Sequence, residues 1–390
     1  MRKFSFQWIV LVTGLFIGVC GAFSFFRASP IIPTLINVFH FDIVIAGLLM
    51  AIFAIAVATL SIPIGLMAIK YDARKICMIA LLLIMAGAIV GVLATNIESL
   101  LLGRLLEGAG LAFIMTATPA FVMRWFPPEK GGTVMAVWAN FFPLGTITGL
   151  NISAIVMIAY GWKVAWLTSF IFSLIGLILI ILLRREPEPL AKLTRNNERT
   201  TSTRELIANL DLWLIALTFL LAQIVVAAFL TLGPTYLVEA RNLTIVYASF
   251  AVSLFMIFGI LGTGMGGIIS DRIWSRKRVY IPALLISLIL YPSLMFSTGL
   301  TITIMIIIWG FAFSFAPPAL FACASDILGP RAAGLGLGII NSAIGASMAI
   351  GPLLFVSLYE SMGSWDIALL FFLPLSIAAV IVGLLPKNVK

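Results

Sequence analysis

Charge is what this sequence has least of. Asp, Glu, Lys and Arg make up 10% of its 390 residues, while 62% of the chain is hydrophobic. An ordinary soluble protein is roughly 25% charged. That balance excludes a water-soluble globule and a disordered chain. Histidine occurs once, at His40, so neither a His-based catalytic centre nor a histidine metal cluster is expected. The cysteines Cys20, Cys77 and Cys323 are odd in number, far apart and set in apolar stretches. They indicate no disulfide framework and no metal site. Long strands of alternating polarity are missing too, which argues against an outer-membrane barrel.

What remains is apolar sequence, enough for about twelve spans of roughly 20 residues. Hydropathy and helix breakers place them near 8–38, 43–69, 76–95, 99–124, 132–160, 163–184, 210–238, 243–270, 279–296, 300–325, 333–359 and 366–386. The expected class is an all-α membrane protein of twelve transmembrane helices in two six-helix bundles. Residues 1–184 form the first bundle, 185–209 a polar linker and 210–390 the second. The formal charge of +9 then concerns orientation rather than nucleic acid. Of 24 Lys and Arg, 20 fall on one side of the spans; only Lys163 and Arg241 fall on the other, and Arg27 and Arg104 lie within spans. The positive-inside rule puts both termini in the cytoplasm of a multi-pass cell-membrane protein.

The halves repeat at a constant offset of 202 positions. Gly65 meets Gly267, Arg74 meets Arg276, Lys75 meets Lys277, Pro128 meets Pro330, Gly149 meets Gly351 and Gly161 meets Gly363. Matched spans run in the same direction, so the repeat is parallel, a pseudo-two-fold design that secondary transporters use with a substrate site near the midplane. The glycine-rich runs 262–267 and 334–338 lack phosphate-loop spacing and read as helix packing.

Three motifs then resemble the major facilitator superfamily of transporters. Gly267-Ile-Ile-Ser-Asp271-Arg272-Ile-Trp-Ser-Arg276 is similar to its Gly-x-x-x-Asp-Arg loop signature. Arg104-Leu-Leu-Glu107-Gly108-Ala-Gly110 is similar to its span-four Arg-x-x-x-Gly-x-Gly pattern, and Gly161-Trp162-Lys163 to the opening of span six. The resemblance implies alternating access, with Asp271 and Arg272 latching the cytoplasmic ends and Arg104 taking part in coupling. The first half departs from the loop pattern: Ile69 stands where the Asp belongs.

Charges inside a bilayer need partners or a wet cavity. Arg104 and Glu107 are three apart, on one helical face. They read equally as a neutralising pair that packs span four and as a proton relay. Arg27 has no acid within a turn of its own helix, and the resemblance places span one on the cavity. Its five-donor fork suits a carboxylate, so the expected substrate is a small organic anion. The bland reading is that Arg27 caps carbonyls freed by Pro30 and Pro33. Asn140, Asn151, Gln223, Trp309 and Asn341 are the supporting substrate-site candidates. So few polar groups argue against a sugar. The expected partners are the anion, protons and membrane lipid, with no nucleic acid, no cofactor, no catalytic centre and a monomeric chain. The competing reading is an exporter of hydrophobic compounds or drugs in which Arg27 is structural.

Overall fold

The computed structural model describes residues 2–126, 131–183, 209–273 and 275–387. Every regular element among them is a helix, and twelve helices are long and apolar enough to cross a membrane. Spans one to six are Phe6–Phe39, Ile43–Ser61, Ala73–Val92, Ile97–Met123, Val137–Tyr160 and Trp162–Leu182. Spans seven to twelve are Leu210–Arg241, Ile245–Ser270, Lys277–Phe296, Gly299–Cys323, Ser342–Met362 and Trp365–Leu384. The chain divides into two compact units, Met1–Asn197 and Glu198–Lys390, with six spans in each. Of the expected linker, residues 185–208 lie outside those described, and Asn209 caps the start of span seven. All three cysteines are free and buried.

Span one is not continuous. Its long helix ends at Phe26, a 3-10 turn covers Ser29–Ile31, and a second helix runs Ile32–Phe39. Pro30 has no N–H to give to the carbonyl one turn back, and Pro33 repeats the loss. Both prolines sit where a helix restart tolerates them. The second helix closes on His40, whose backbone is left-handed at φ 52°. Arg27 therefore lies at the end of the first helical segment, where a cation complements the helix dipole.

The repeat is visible in the packing. A Cβ at Gly108 of span four would lie 2.3 Å from the carbonyl oxygen of Phe53 in span two. A Cβ at Gly310 of span ten would lie 2.3 Å from the carbonyl oxygen of Phe255 in span eight. The two glycines, like the two phenylalanines, are 202 positions apart, and in each unit the close helix approach requires glycine. The basic residues at the start of spans three and nine repeat a role as well. Arg74 donates to the carbonyls of Ile180, at 3.0 Å, and Ile181, at 3.2 Å, closing the end of span six. Lys277 donates to the carbonyls of Leu384, at 3.1 Å, and Pro386 at the end of span twelve. Each satisfies carbonyls that the helix itself leaves unpaired.

At the other end of the second unit, Arg241 gathers seven acceptors, among them the carbonyl of Ala240 and the Tyr236 hydroxyl. It donates to both carboxylate oxygens of Asp366 at 2.6 and 3.1 Å and to the carbonyls of Leu294, Met295 and Ser297 at 2.9–3.1 Å. The Tyr236 hydroxyl donates to the same Asp366 at 2.9 Å. One guanidinium thus fastens span seven to the end of span nine and the start of span twelve. Asp366 is 25% exposed and Arg241 8%, so the pair is weakly screened. The Asp72–Arg124 pair in the first unit is 44% and 46% exposed and is worth about 0–1 kcal/mol. Asp366→Asn is expected to lower stability by about 1.5–3 kcal/mol, the range for hydrogen bonds to charged groups, and Asp72→Asn by much less. Thermal unfolding in detergent checks this; equal shifts would remove the clamp's special standing.

Candidate functional site

Three ionisable side chains meet inside the first unit, and each is fully buried: Arg27, Arg104 and Glu107. Arg104 and Glu107 are one turn apart on span four, and Arg104 Nη1 donates to Glu107 Oε2 at 3.1 Å. Arg27 Nη2 donates to the other oxygen of the same carboxylate, Oε1. Glu107 is therefore a bridge between two guanidinium groups, and the cluster carries a net charge of +1. Ser169 Oγ, on span six, stands 3.5 Å from Glu107 Oε1.

The two arginines are held in different ways. Arg104 is surrounded by acceptors: Ser24 O at 2.7 Å, Phe25 O at 3.2 Å and Leu49 O at 3.2 Å. Its guanidinium also stacks 4.4 Å from the Phe53 ring centre. The carbonyls of Ser24 and Phe25 belong to the last turn before the break in span one. Arg104 thus caps the end of that helical segment, though not at the Phe26 and Ser29 carbonyls that Pro30 and Pro33 leave free. Arg27 instead reaches span six. Its Nη1 donates to the carbonyl of Trp166, its Cζ lies 4.1 Å from the centre of the Trp166 ring, and its Nε has no hydrogen-bond partner among the described residues.

The lack of an acid within a turn of Arg27 on its own helix therefore does not leave it unpaired. Glu107 pairs with it across 80 positions of sequence. A search confined to a turn of the same helix has no access to that pairing. Of the other candidates, Asn151 Nδ2 donates to Ile147 O at 2.8 Å and Asn140 Nδ2 to Val137 O at 3.3 Å, each within its own stretch of span five. Gln223 on span seven has a buried Oε1 that accepts no hydrogen bond from a described residue. The side chains of Asp271, Arg272 and Asn341 lie outside the described residues.

Trp309 is buried among Phe229, Phe255 and Tyr291, with ring centres 4.9–5.9 Å apart. With Ser287, Tyr291 and Ser376 it lines a cavity of about 20 Å³ inside the second unit. That holds roughly one water and is too small for an organic anion. The offset of 202 carries Glu107 onto Trp309 and Arg104 onto Ile306. Where the first unit has its ion cluster, the second has an aromatic core. Trp166 is the residue that sequence reasoning missed. It lies three residues beyond the Gly161-Trp162-Lys163 motif, and nothing in its own stretch of sequence marks the contact with Arg27.

Comparison with known proteins agrees with this architecture. A family profile for the Major Facilitator Superfamily matches residues 14–352 and 247–390. The chain is 26% identical to a hexuronate transporter of Bacillus subtilis over 347 residues, covering 83% of this chain and 81% of that one. It is 25% identical to a probable sulfoacetate transporter, SauU, of Cupriavidus necator over 364 residues, covering 86% and 82%. In fold it is similar to a bacterial homologue of the human lysosomal transporter Spinster, solved in an inward-facing, occupied conformation. There the TM-score is 0.81 at 15% identity, covering 98% of this chain and 97% of the other.

Proposed function

The chain belongs to the Major Facilitator Superfamily, and on that premise we propose that it moves a small organic anion across the membrane by alternating access, coupled to protons. It is a multi-pass membrane protein of twelve spans. Two similar proteins are named for anionic cargo, a hexuronate and a sulfoacetate. The observation that carries the reading is the excess positive charge of the Arg27–Glu107–Arg104 cluster, all of it buried. Two guanidinium groups share one carboxylate there, so an arriving anion can take that carboxylate's place on Arg27 without leaving the buried cluster negative. A carboxylate or sulfonate fits the two-pronged edge of Arg27.

Coupling follows from the shared carboxylate. In the empty transporter Glu107 holds Arg27. An arriving carboxylate takes that place on Arg27, and Glu107 takes a proton and remains beside Arg104. One carboxylate has replaced another, so the cluster stays at +1 while one proton and one negative charge have entered together. Arg27, Arg104 and the Ser169 hydroxyl are the polar side chains facing Glu107 among the described residues. Asn140, Asn151, Gln223 and Asn341 serve the remainder of the substrate. Asp271 and Arg272 gate the inner face, and both termini lie in the cytoplasm.

The test is uptake into proteoliposomes. Saturable uptake of radiolabelled glucuronate or sulfoacetate, raised by an inwardly directed proton gradient and lost when it collapses, is the expected result. A second reading, an exporter of hydrophobic compounds with Arg27 structural, draws support from the pairing of Arg27 with Glu107. Proton-driven movement of tetraphenylphosphonium with no anion uptake would select it.

A further inference from the structure

The cluster is gripped from span six, which brings no charge to it. Trp166 is fully buried, its carbonyl accepts from Arg27 Nη1, and the guanidinium lies over its ring with Cζ 4.1 Å from the ring centre. A turn further along the same helix, Ser169 reaches Glu107. Span three makes room for this. A Cβ at Gly91 would fall 2.0 Å from Trp166 Nε1, 2.7 Å from Cε2 and 2.9 Å from Cδ1, so the indole edge lies directly on that glycine. One turn earlier, a Cβ at Gly87 would meet Glu107 Cγ at 2.7 Å. One face of span three therefore sets how deep both the carboxylate and the indole can sit.

We infer that Trp166 is a positioning residue for substrate recognition: its ring face fixes the plane of the Arg27 guanidinium, and Gly91 admits the ring. This rests on the reading of Arg27 as the anion-binding group. Among the described residues Arg27 Nε has no hydrogen-bond partner, and the two Nη groups are tethered, one to the Trp166 carbonyl and one to Glu107. When a substrate carboxylate displaces Glu107, the backbone carbonyl alone leaves the fork free to swing. The indole face keeps it in plane, because a planar guanidinium stacks on an aromatic ring both by dispersion and by cation–π attraction. A fork held in plane meets both oxygens of a carboxylate; a swinging fork loses that match.

The experiment compares Trp166→Phe, Trp166→Leu, Gly91→Ala and the Gly91→Ala/Trp166→Leu double variant in proteoliposomes, with glucuronate and sulfoacetate as probes. KM and maximal rate are normalised to folded protein. Trp166→Leu keeps the carbonyl and removes the face; KM is expected to rise roughly tenfold to thirtyfold. Trp166→Phe keeps a face and should recover most of that. Gly91→Ala displaces the indole and should raise KM, while the double variant is no worse than Trp166→Leu, because both changes act through one ring. A folded Trp166→Leu with unchanged KM overturns the inference, and so does a double variant whose effects simply add. If Trp166→Leu does not fold, Gly91→Ala decides: a raised KM supports the assignment and an unchanged one overturns it. Wild-type protein that takes up neither probe overturns the anion reading itself. Wild-type uptake that depends on Arg27 but ignores Trp166 and Gly91 overturns this inference alone.

Discussion

Glu107→Gln is expected to be the most destabilising single change in the first bundle, by about 3–5 kcal/mol, the range for breaking a buried ion pair by removing one partner. The reason is arithmetic as much as contact. Glu107 is the only carboxylate bonded to Arg27 or Arg104 among the described residues. Without its charge, two fully buried guanidinium groups stand at +2 with nothing to offset them. Arg27→Met acts in the opposite sense. It leaves Glu107 with Arg104 as a neutral pair and should cost much less. The double variant Arg27→Met/Glu107→Gln leaves Arg104 alone at +1 and should be more stable than Glu107→Gln by itself. Such non-additivity is what a shared partner produces. Thermal unfolding of the purified variants in detergent measures it. A Glu107→Gln protein no less stable than Arg27→Met would show that the cluster does not hold the bundle as its geometry requires.

How much of this was legible in the sequence depends on how far each contact reaches. The twelve spans follow from runs of apolar residues. The break in span one is local, because Pro30 and Pro33 remove N–H groups at known positions. The Arg104–Glu107 pair follows from their spacing of three. The offset of 202 also pairs Gly310 with Gly108, but only the packing shows that both are close-approach positions. The Arg27–Glu107 contact is different in kind: it joins two helices 80 positions apart, and no periodicity records which faces meet. The Trp166 contact has the same character. A tryptophan in an apolar helix carries no mark that its ring covers a guanidinium. Arg241 lies between. Its place in the last turn of span seven signals helix capping, but the partner, Asp366, comes from span twelve. The offset also held a clue that composition hides. Reading position 309 against position 107 shows at once that the second half replaces the carboxylate with an aromatic ring, so among the described residues the counterpart of Glu107 carries no charge.

Loss of transport should follow a different order from loss of stability, and Arg27 is where the two separate. Arg27→Met is expected to lower glucuronate or sulfoacetate uptake by two to three orders of magnitude in protein that still folds, since truncating one partner of a desolvated charge pair costs roughly 2–5 kcal/mol of binding. The neutral Glu107–Arg104 pair that remains has no excess charge to offer an anion. It also gives Glu107 no reason to change partners, so both binding and coupling are lost together. Arg27→Lys restores the charge but not the fork, and an ammonium neither stacks on the Trp166 ring nor spans two carboxylate oxygens as a guanidinium does. Its uptake should lie between wild type and Arg27→Met, with the deficit mainly in KM. Arg27 in a purely structural role predicts the reverse pattern. Arg27→Met would then be a destabilised protein whose uptake, per folded molecule, stays within threefold of wild type. Uptake measured beside the folded fraction, over a range of substrate concentrations, decides between them.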